Sequence, residues 1–340
     1  MPGEADDIDF RSDAASIAEG RVVDRHAAGS RLWSQGDVAR HVAVLRAGRF
    51  RLTARNAWGD YTVAELPAPC LIGLSEVLAG NERFASLDAI GEGESVRVGE
   101  NEVRVLLAGR TPAAAAFRRV AILSSTRAIR LINGSLGSFF TEPMAEGRPR
   151  DQSESGAFPA AVEGHPASSE RVHELFDRLG IGVPLLLRFG LIERTYPEGA
   201  RLTRTGEEAT EAFLTYSGCV RISIKIPEVG EEALSILGPG EIVGEMGLVD
   251  GSVRSAYAIA HGGPATVFVM TRPVFRRLLT EDVEGSPPLV AWLASSLARR
   301  LEESAARAVS FFVLSGGAGG HSPQGGFEFD DDVEGLFTGS

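Results

Sequence analysis

The apolar residues of this chain fall into short runs broken by glycine, and a longer stretch with helical spacing follows each set. In the C-terminal half, Phe213 to Ile226 and Ala233 to Leu237 are β-rich, with Gly218 and the stretch 227–230 as turns. Thr266 to Met270 is a further short apolar run. Leu289, Leu293, Leu297 and Leu301 then recur every four residues, which predicts one apolar face of a helix. Ser286 is its expected N-cap and Pro287 its first helical residue. In the N-terminal half, Thr111 and Pro112 open an alanine-rich run with the same expectation, reaching to about Asn133.

The two halves are copies of one pattern. At an offset of 170, Gly29-Ser30-Arg31-Leu32 falls on Gly199-Ala200-Arg201-Leu202, Gly36-Asp37 on Gly206-Glu207, Gly48 on Gly218, and Arg51-Leu52 on Arg221-Ile222. A one-residue slip in a loop moves the offset to 171. Leu71-Ile72-Gly73 then meets Ile242-Val243-Gly244, Gly80 meets Gly251, Arg83 meets Arg254 and Ala85 meets Ala256. The expected class is α+β: two tandem β-roll domains, jelly-roll-like, each followed by C-terminal helices. The expected limits are 15–140 for the first domain, 141–169 for a flexible linker rich in Pro, Gly, Ser and Glu, 170–314 for the second domain, and 315–340 for a disordered acidic tail.

Composition agrees with this organisation. A length of 340 residues suits two domains of about 150. With 44% hydrophobic and 24% charged residues, each copy has enough apolar side chains for a core. The net charge of −12 argues against general nucleic-acid binding, for which a basic footprint is expected. Lys225 is the only lysine, so arginine supplies the other positive charges. Cys70 and Cys219 make no disulfide framework and have no metal-type spacing, which points to a reducing, cytoplasmic setting. The acidic start, Met1 to Phe10, reads as no secretory signal, and no run is long and apolar enough for a membrane span.

The informative segment is 242–256. A strand is expected to end at Val243. Gly244 permits close backbone approach, and a short helical turn with exposed amides can follow. Ten residues after the glycine comes Arg254, able to pair with a phosphate through parallel hydrogen bonds, then Ser255 with a hydroxyl. Glu245 adds a carboxylate that can accept from a hydroxyl pair. Together these groups suit a ribose phosphate ring.

At these residues the chain resembles the cyclic-nucleotide-binding domain of catabolite activator proteins and kinase A regulatory subunits. Val243-Gly244-Glu245-Met246-Gly247-Leu248 and Arg254-Ser255-Ala256 match that family's phosphate-binding cassette, with Val253 where a proline is common. The resemblance implies a cyclic AMP or related ligand. It implies that Glu245 binds the ribose 2′-hydroxyl, that Arg254 and Ser255 hold the cyclic phosphate, and that the amides of Glu245 and Met246 lie nearby, beyond Gly244. Leu297-Ala298-Arg299-Arg300-Leu301-Glu302-Glu303-Ser304 resembles the family's helix over the base, which would bring Ser304 to the purine.

The first copy keeps Gly73, Gly80 and Arg83 but has Leu74 in the place of Glu245 and Phe84 in the place of Ser255. It is expected to keep the fold without binding cyclic nucleotide well. Glu76 is expected to point elsewhere, and Arg83 to be a structural arginine paired with a carboxylate or carbonyl. No histidine pair has zinc spacing, and no catalytic constellation stands out, so the expected role is binding without catalysis and without a metal. Beyond Leu314 no recognition helix can be built, and the acidic tail with Phe329, Leu336 and Phe337 is open to docking on a protein partner. The expectation is a cytoplasmic cyclic-nucleotide receptor that signals to a protein partner, with no nucleic-acid partner and a homodimer left open. A scaffold with two relic folds and a transcription regulator of the catabolite-activator class are the alternatives.

Overall fold

The computed structural model describes residues 9–57, 59–141, 182–226, 230–281 and 285–314. The expected linker beyond Thr141, the turn residues 227–229 and the acidic tail with Phe329, Leu336 and Phe337 lie outside the described residues.

The first half opens with helix α1 (Phe10–Ala18), ahead of the expected start at residue 15. The Asp9 carboxylate caps it by accepting from the amides of Arg11 and Ser12, each at 3.0 Å. Strands β1 (Val23–His26), β2 (Arg31–Trp33), β3 (His41–Ala47), β4 (Arg49–Asn56), β5 (Gly59–Pro67) and β6 (Cys70–Ile72) follow. Next come the short helix α2 (Leu74–Ala79), β7 (Ser86–Ala89) and β8 (Gly93–Gly99). The half closes with α3 (Glu100–Ala108) and the long α4 (Pro112–Thr141). The strands pair antiparallel as two four-stranded sheets, β1-β8-β3-β6 and β2-β7-β4-β5. Thr111 caps α4, its hydroxyl accepting from the Ala114 amide at 3.2 Å. The helix runs past Asn133, where the alanine-rich signal ends.

The second half repeats the order. Helix α5 (Val183–Arg188) leads into β9 (Ile192–Tyr196), β10 (Arg201–Thr203), β11 (Glu211–Ile226), β12 (Gly230–Leu237) and β13 (Ile242–Val243). One turn of helix, α6 (Met246–Asp250), precedes β14 (Tyr257–Thr271), α7 (Arg272–Thr280) and the long α8 (Ser286–Leu314). Here β11 and β14 run on where the first half breaks its strands. One six-stranded antiparallel sheet results, bent where the register of β11 on β14 shifts between Thr215 and Cys219. Hydrogen bonds repeat between the halves. The Gly36 amide donates to the Arg83 carbonyl at 2.9 Å, and the Gly206 amide to the Arg254 carbonyl at 2.8 Å. The Arg83 amide donates to the Asp37 carbonyl at 2.8 Å, and the Arg254 amide to the Glu207 carbonyl at 2.9 Å.

One correction concerns α8. Ser286 is its first residue rather than its cap, and the Ser286 hydroxyl donates back to the Glu281 carbonyl at 3.2 Å. Gly285, with a left-handed backbone at φ 82°, makes the entry turn in its place.

The core explains why the long helices form. Leu289, Leu293, Leu297 and Leu301 are all buried, as their spacing predicts. The buried face of α4, with Phe117, Val120, Ile129 and Ile132, packs into the same hydrophobic cluster, so α4 and α8 lie against each other. That cluster takes in both helices and the interior of the first β-roll. A smaller cluster, including Phe213, Val220, Val243 and Val267, fills the second β-roll.

Candidate functional site

The site forms where β13 ends. Gly244 has φ 78°, a left-handed conformation that side chains rarely adopt. A Cβ there would lie 2.4 Å from Nη1 of Arg254. Glycine thus lets the backbone turn and leaves room for the guanidinium beneath it. Arg254 donates through Nη1 to the Gly244 carbonyl and through Nη2 to the Glu211 carbonyl. Its side chain is buried, and that burial pushes the guanidinium pKa down, while Glu245, Glu211 and Glu207 pull it back up. Arginine keeps its charge through such a shift, which a lysine need not do.

Glu245 follows at the entrance of α6 and is 1% exposed. Its Oε1 accepts from Nη1 of Arg300 on α8 at 2.7 Å. Arg300 also donates through Nη2 to the Ile242 carbonyl. Among the described residues no donor reaches Oε2 of Glu245, although that atom is buried. A buried acceptor without a donor costs about 1–3 kcal/mol, more when charged.

The other residues singled out in the sequence surround this pair. Met246 is half-buried against the core at the start of α6. Gly247 must be small, because a Cβ there would lie 2.2 Å from the Ala209 Cβ. Ser255 is exposed, with its hydroxyl next to the buried Arg254 in the chain. Ser304 is buried on α8, one turn beyond Arg300, and Nη2 of Arg307 lies 3.5 Å from its hydroxyl. Helix α8 is tied to the rim of the sheet at further points. Arg299 pairs with Glu241 at 3.0 Å, and Arg307 donates to the Leu234 carbonyl.

Arg300 was missed as a site residue by sequence reasoning. It stands inside the 297–304 segment, but local spacing does not say which of two adjacent arginines turns inward. Arg299 faces Glu241 and Glu303 at the surface, whereas Arg300 reaches the buried carboxylate.

The first copy reproduces the arginine and lacks the carboxylate beside the glycine. Gly73 has φ 91°, and a Cβ on it would lie 2.3 Å from Nη1 of Arg83. Arg83 donates to the Gly73 carbonyl at 3.3 Å and to the His41 carbonyl. His41 and Glu211 stand in the same register, so the two arginines have equivalent partners. Arg83 lies 4.0 Å from the centroid of the Trp33 ring and is sealed from solvent. Its structural pairing agrees with the sequence reading. The reading of Glu76 does not. Glu76 is buried, with Oε1 at 4.0 Å from Nη1 of Arg83. It lies beside Val77, and the turn that buries Leu74 and Val77 carries Glu76 inward as well. Burial pushes its carboxyl pKa up, and Arg83 partly offsets that. Leu74 and Phe84 pack on the core where the second copy has Glu245 and Ser255.

Among the described residues no group of three or more His, Cys, Asp or Glu side chains could hold a metal ion. No described helix is long and apolar enough to cross a membrane.

Residues 193–282 match the family model of the cyclic nucleotide-binding domain. The chain is similar to the cAMP-activated global transcriptional regulator CRP of Haemophilus influenzae, at 31% identity over 120 residues covering 35% of this chain and 51% of that protein. It is also similar to the cyclic AMP receptor protein of Thermus thermophilus, at 36% identity over 115 residues, 33% of this chain and 49% of that one. The chain thus spans about half the length of these curated relatives. A solved structure of the regulatory domain of Toxoplasma gondii PKA with cAMP aligns over 86% of this chain and 89% of that one, at 15% identity and a TM-score of 0.30. Gly244, Glu245 and Arg254 all lie within the stretch 193–282 that matches the model of the cyclic nucleotide-binding domain.

Proposed function

We propose that this chain is a cyclic-nucleotide receptor that takes cyclic AMP or a close relative in its second half and passes the signal to a protein partner. The observation that carries the reading is the buried Glu245 carboxylate, with one oxygen held by Arg300 and the other without a donor among the described residues. A ribose hydroxyl is such a donor. Arg254 lies nine residues further along and donates to the Gly244 carbonyl, so a cation for the cyclic phosphate stands near the acceptor for the sugar. Ser255 offers an exposed hydroxyl to the same phosphate. Ser304 lies on the helix that already touches Glu245 through Arg300, so contact with the base would bias the position of α8. Met246 and Gly244 supply the backbone of the turn.

The first copy is proposed to keep the fold and not the ligand. Its arginine is covered by Trp33 and faces Glu76, so an anion would meet a carboxylate already in place. The role is binding rather than catalysis, in a cytoplasmic setting. The acidic tail with Phe329, Leu336 and Phe337 remains the proposed docking segment.

Calorimetric titration of cyclic AMP, cyclic GMP and cyclic dinucleotides onto the whole chain tests the reading. One site for a cyclic mononucleotide is expected, and no heat at millimolar ligand removes the receptor claim. A second reading has its own support: one of the relatives is named a cAMP-activated global transcriptional regulator. A mobility-shift assay with and without cyclic AMP decides it, since nucleotide-dependent binding to duplex DNA would replace the protein-partner reading.

A further inference from the structure

The cassette of the second half is also held from the first half. Arg130 lies on α4, and its guanidinium grips the Asp250 carboxylate across 120 residues of sequence, through Nε to Oδ2 and through Nη2 to Oδ1 at 3.0 Å. This is a fork-on-fork pair, the geometry in which arginine and carboxylate fix each other's orientation. Asp250 is 10% exposed in its side chain and Arg130 23%. Asp250 is the last residue of α6, the single helical turn that begins just after Glu245. The same carboxylate accepts from the Ser252 amide at 3.0 Å, which ties it to the loop leading into Arg254. One ion pair therefore fixes the middle of the segment whose ends carry Glu245 and Arg254.

A second contact from the first half acts on α8. Ser75 on α2 donates to Oε2 of Glu302 on α8 at 2.6 Å. Glu302 lies between Arg300, which holds Glu245, and Ser304. Thus α4 touches the cassette turn and α2 touches the covering helix, both from the half that has lost its own carboxylate.

We infer that Arg130 is a positioning residue for the ligand site of the second half, so that the first half sets the affinity of its neighbour through the Arg130–Asp250 pair. This rests on the reading of residues 244–255 as the ligand site. A turn this short has few hydrogen bonds of its own to hold it: the Leu248 and Val249 amides both donate to the Glu245 carbonyl, at 2.9 and 3.1 Å. Its position comes from what packs on it, and a site held in place before the ligand arrives binds more tightly than one that must be ordered on binding.

The test uses the full chain. Arg130→Ala and Asp250→Asn should each weaken cyclic AMP binding about tenfold, within the usual range for coupling between sites. The double variant should be no weaker than either single, and Arg130→Lys should recover part of the loss. The paired exchange Arg130→Asp with Asp250→Arg should restore affinity to within roughly threefold of the parent. An affinity unchanged in Arg130→Ala, with only a lower unfolding midpoint, overturns the inference and leaves the pair as interface packing. Hydrogen exchange of the 246–250 amides in the ligand-free protein gives an independent readout. Faster exchange in Arg130→Ala is expected, and unchanged exchange overturns the positioning role even if the parent chain binds no cyclic nucleotide. Absence of heat with the parent chain, together with faster exchange in the variant, would instead remove the ligand assignment and keep the coupling.

Discussion

Gly244→Ala separates the conformational demand of the site from its chemical one. Two costs are expected. An alanine at φ 78° sits in the left-handed region, which costs about 1–2 kcal/mol. The new Cβ would also lie 2.4 Å from Nη1 and 3.2 Å from Cζ of Arg254. The guanidinium end is flexible and will move, but it then leaves the Gly244 carbonyl, and a hydrogen bond from a charged group contributes about 1.5–3 kcal/mol. The sum is roughly 3–4 kcal/mol, or a fall of about 10 °C in the unfolding midpoint at about 2–4 °C per kcal/mol. Gly251→Ala supplies the control, because its φ is 72° and a Cβ there meets nothing within 4 Å among the described residues. It should show only the backbone cost, a fall of about 2–8 °C and smaller than that of Gly244→Ala. Gly73→Ala, with Arg83 Nη1 at 2.3 Å, should resemble Gly244→Ala in stability. The ligand then divides the pair: Gly244→Ala should bind cyclic AMP at least about tenfold more weakly, and Gly73→Ala as the parent does. Differential scanning calorimetry and titration calorimetry measure both effects. Equal midpoint shifts for Gly244→Ala and Gly251→Ala would refute the claim that the glycine makes room for the arginine.

Arg254→Ala should lower cyclic AMP affinity about a hundredfold, because a desolvated phosphate loses its counter-charge. Arg83→Ala should leave affinity within roughly twofold while lowering stability, since it strands the buried Glu76 and two carbonyls. A reversal of these two results would show that both copies are live. Burial pushes the Cys70 thiol up to about 11, so at pH 8 only about one in a thousand is thiolate. Cys219, half-buried at the register shift of β11, where the structure has a continuous strand rather than the turn expected at Gly218, should react first with a thiol reagent, and Cys70 only as the chain unfolds. Mass spectrometry of a time course checks this, and equal labelling rates would contradict the burial of Cys70.

Local pattern carried a good share of this architecture. The offset between the halves reappears as equivalent hydrogen bonds at Gly36 and Gly206, because a turn of fixed geometry needs the same residue types wherever it occurs. The leucines of α8 were legible for a similar reason: a helix that packs on one side must repeat its apolar residues with the helical period. The Gly244–Arg254 spacing was legible because both residues belong to one compact bend. Contacts between distant segments were not. Nothing near Glu245 announces Arg300, nothing near Asp250 announces Arg130, and the inward turn of Glu76 is decided by which face of α2 meets the core. The first-turn error at Ser286 has a different source: a Ser-Pro-Pro start fits a cap equally well one residue earlier, and Gly285 took the turn.

The duplicated arginine has a consequence for how such chains change over generations. Arg83 and Arg254 each join the carbonyl of a left-handed glycine to the carbonyl of a strand residue, Gly73 with His41 and Gly244 with Glu211. Each one staples its β-roll whether or not a small molecule ever arrives. A copy that abandons its ligand can then exchange the glutamate, whose one tie to the protein is a single arginine of the last helix, yet remains bound to the glycine and the arginine, which hold the β-roll together. The most recognisable half of the motif should therefore outlive the activity it is used to diagnose. The acid beside the glycine is the better witness to whether a pocket of this kind is still in use.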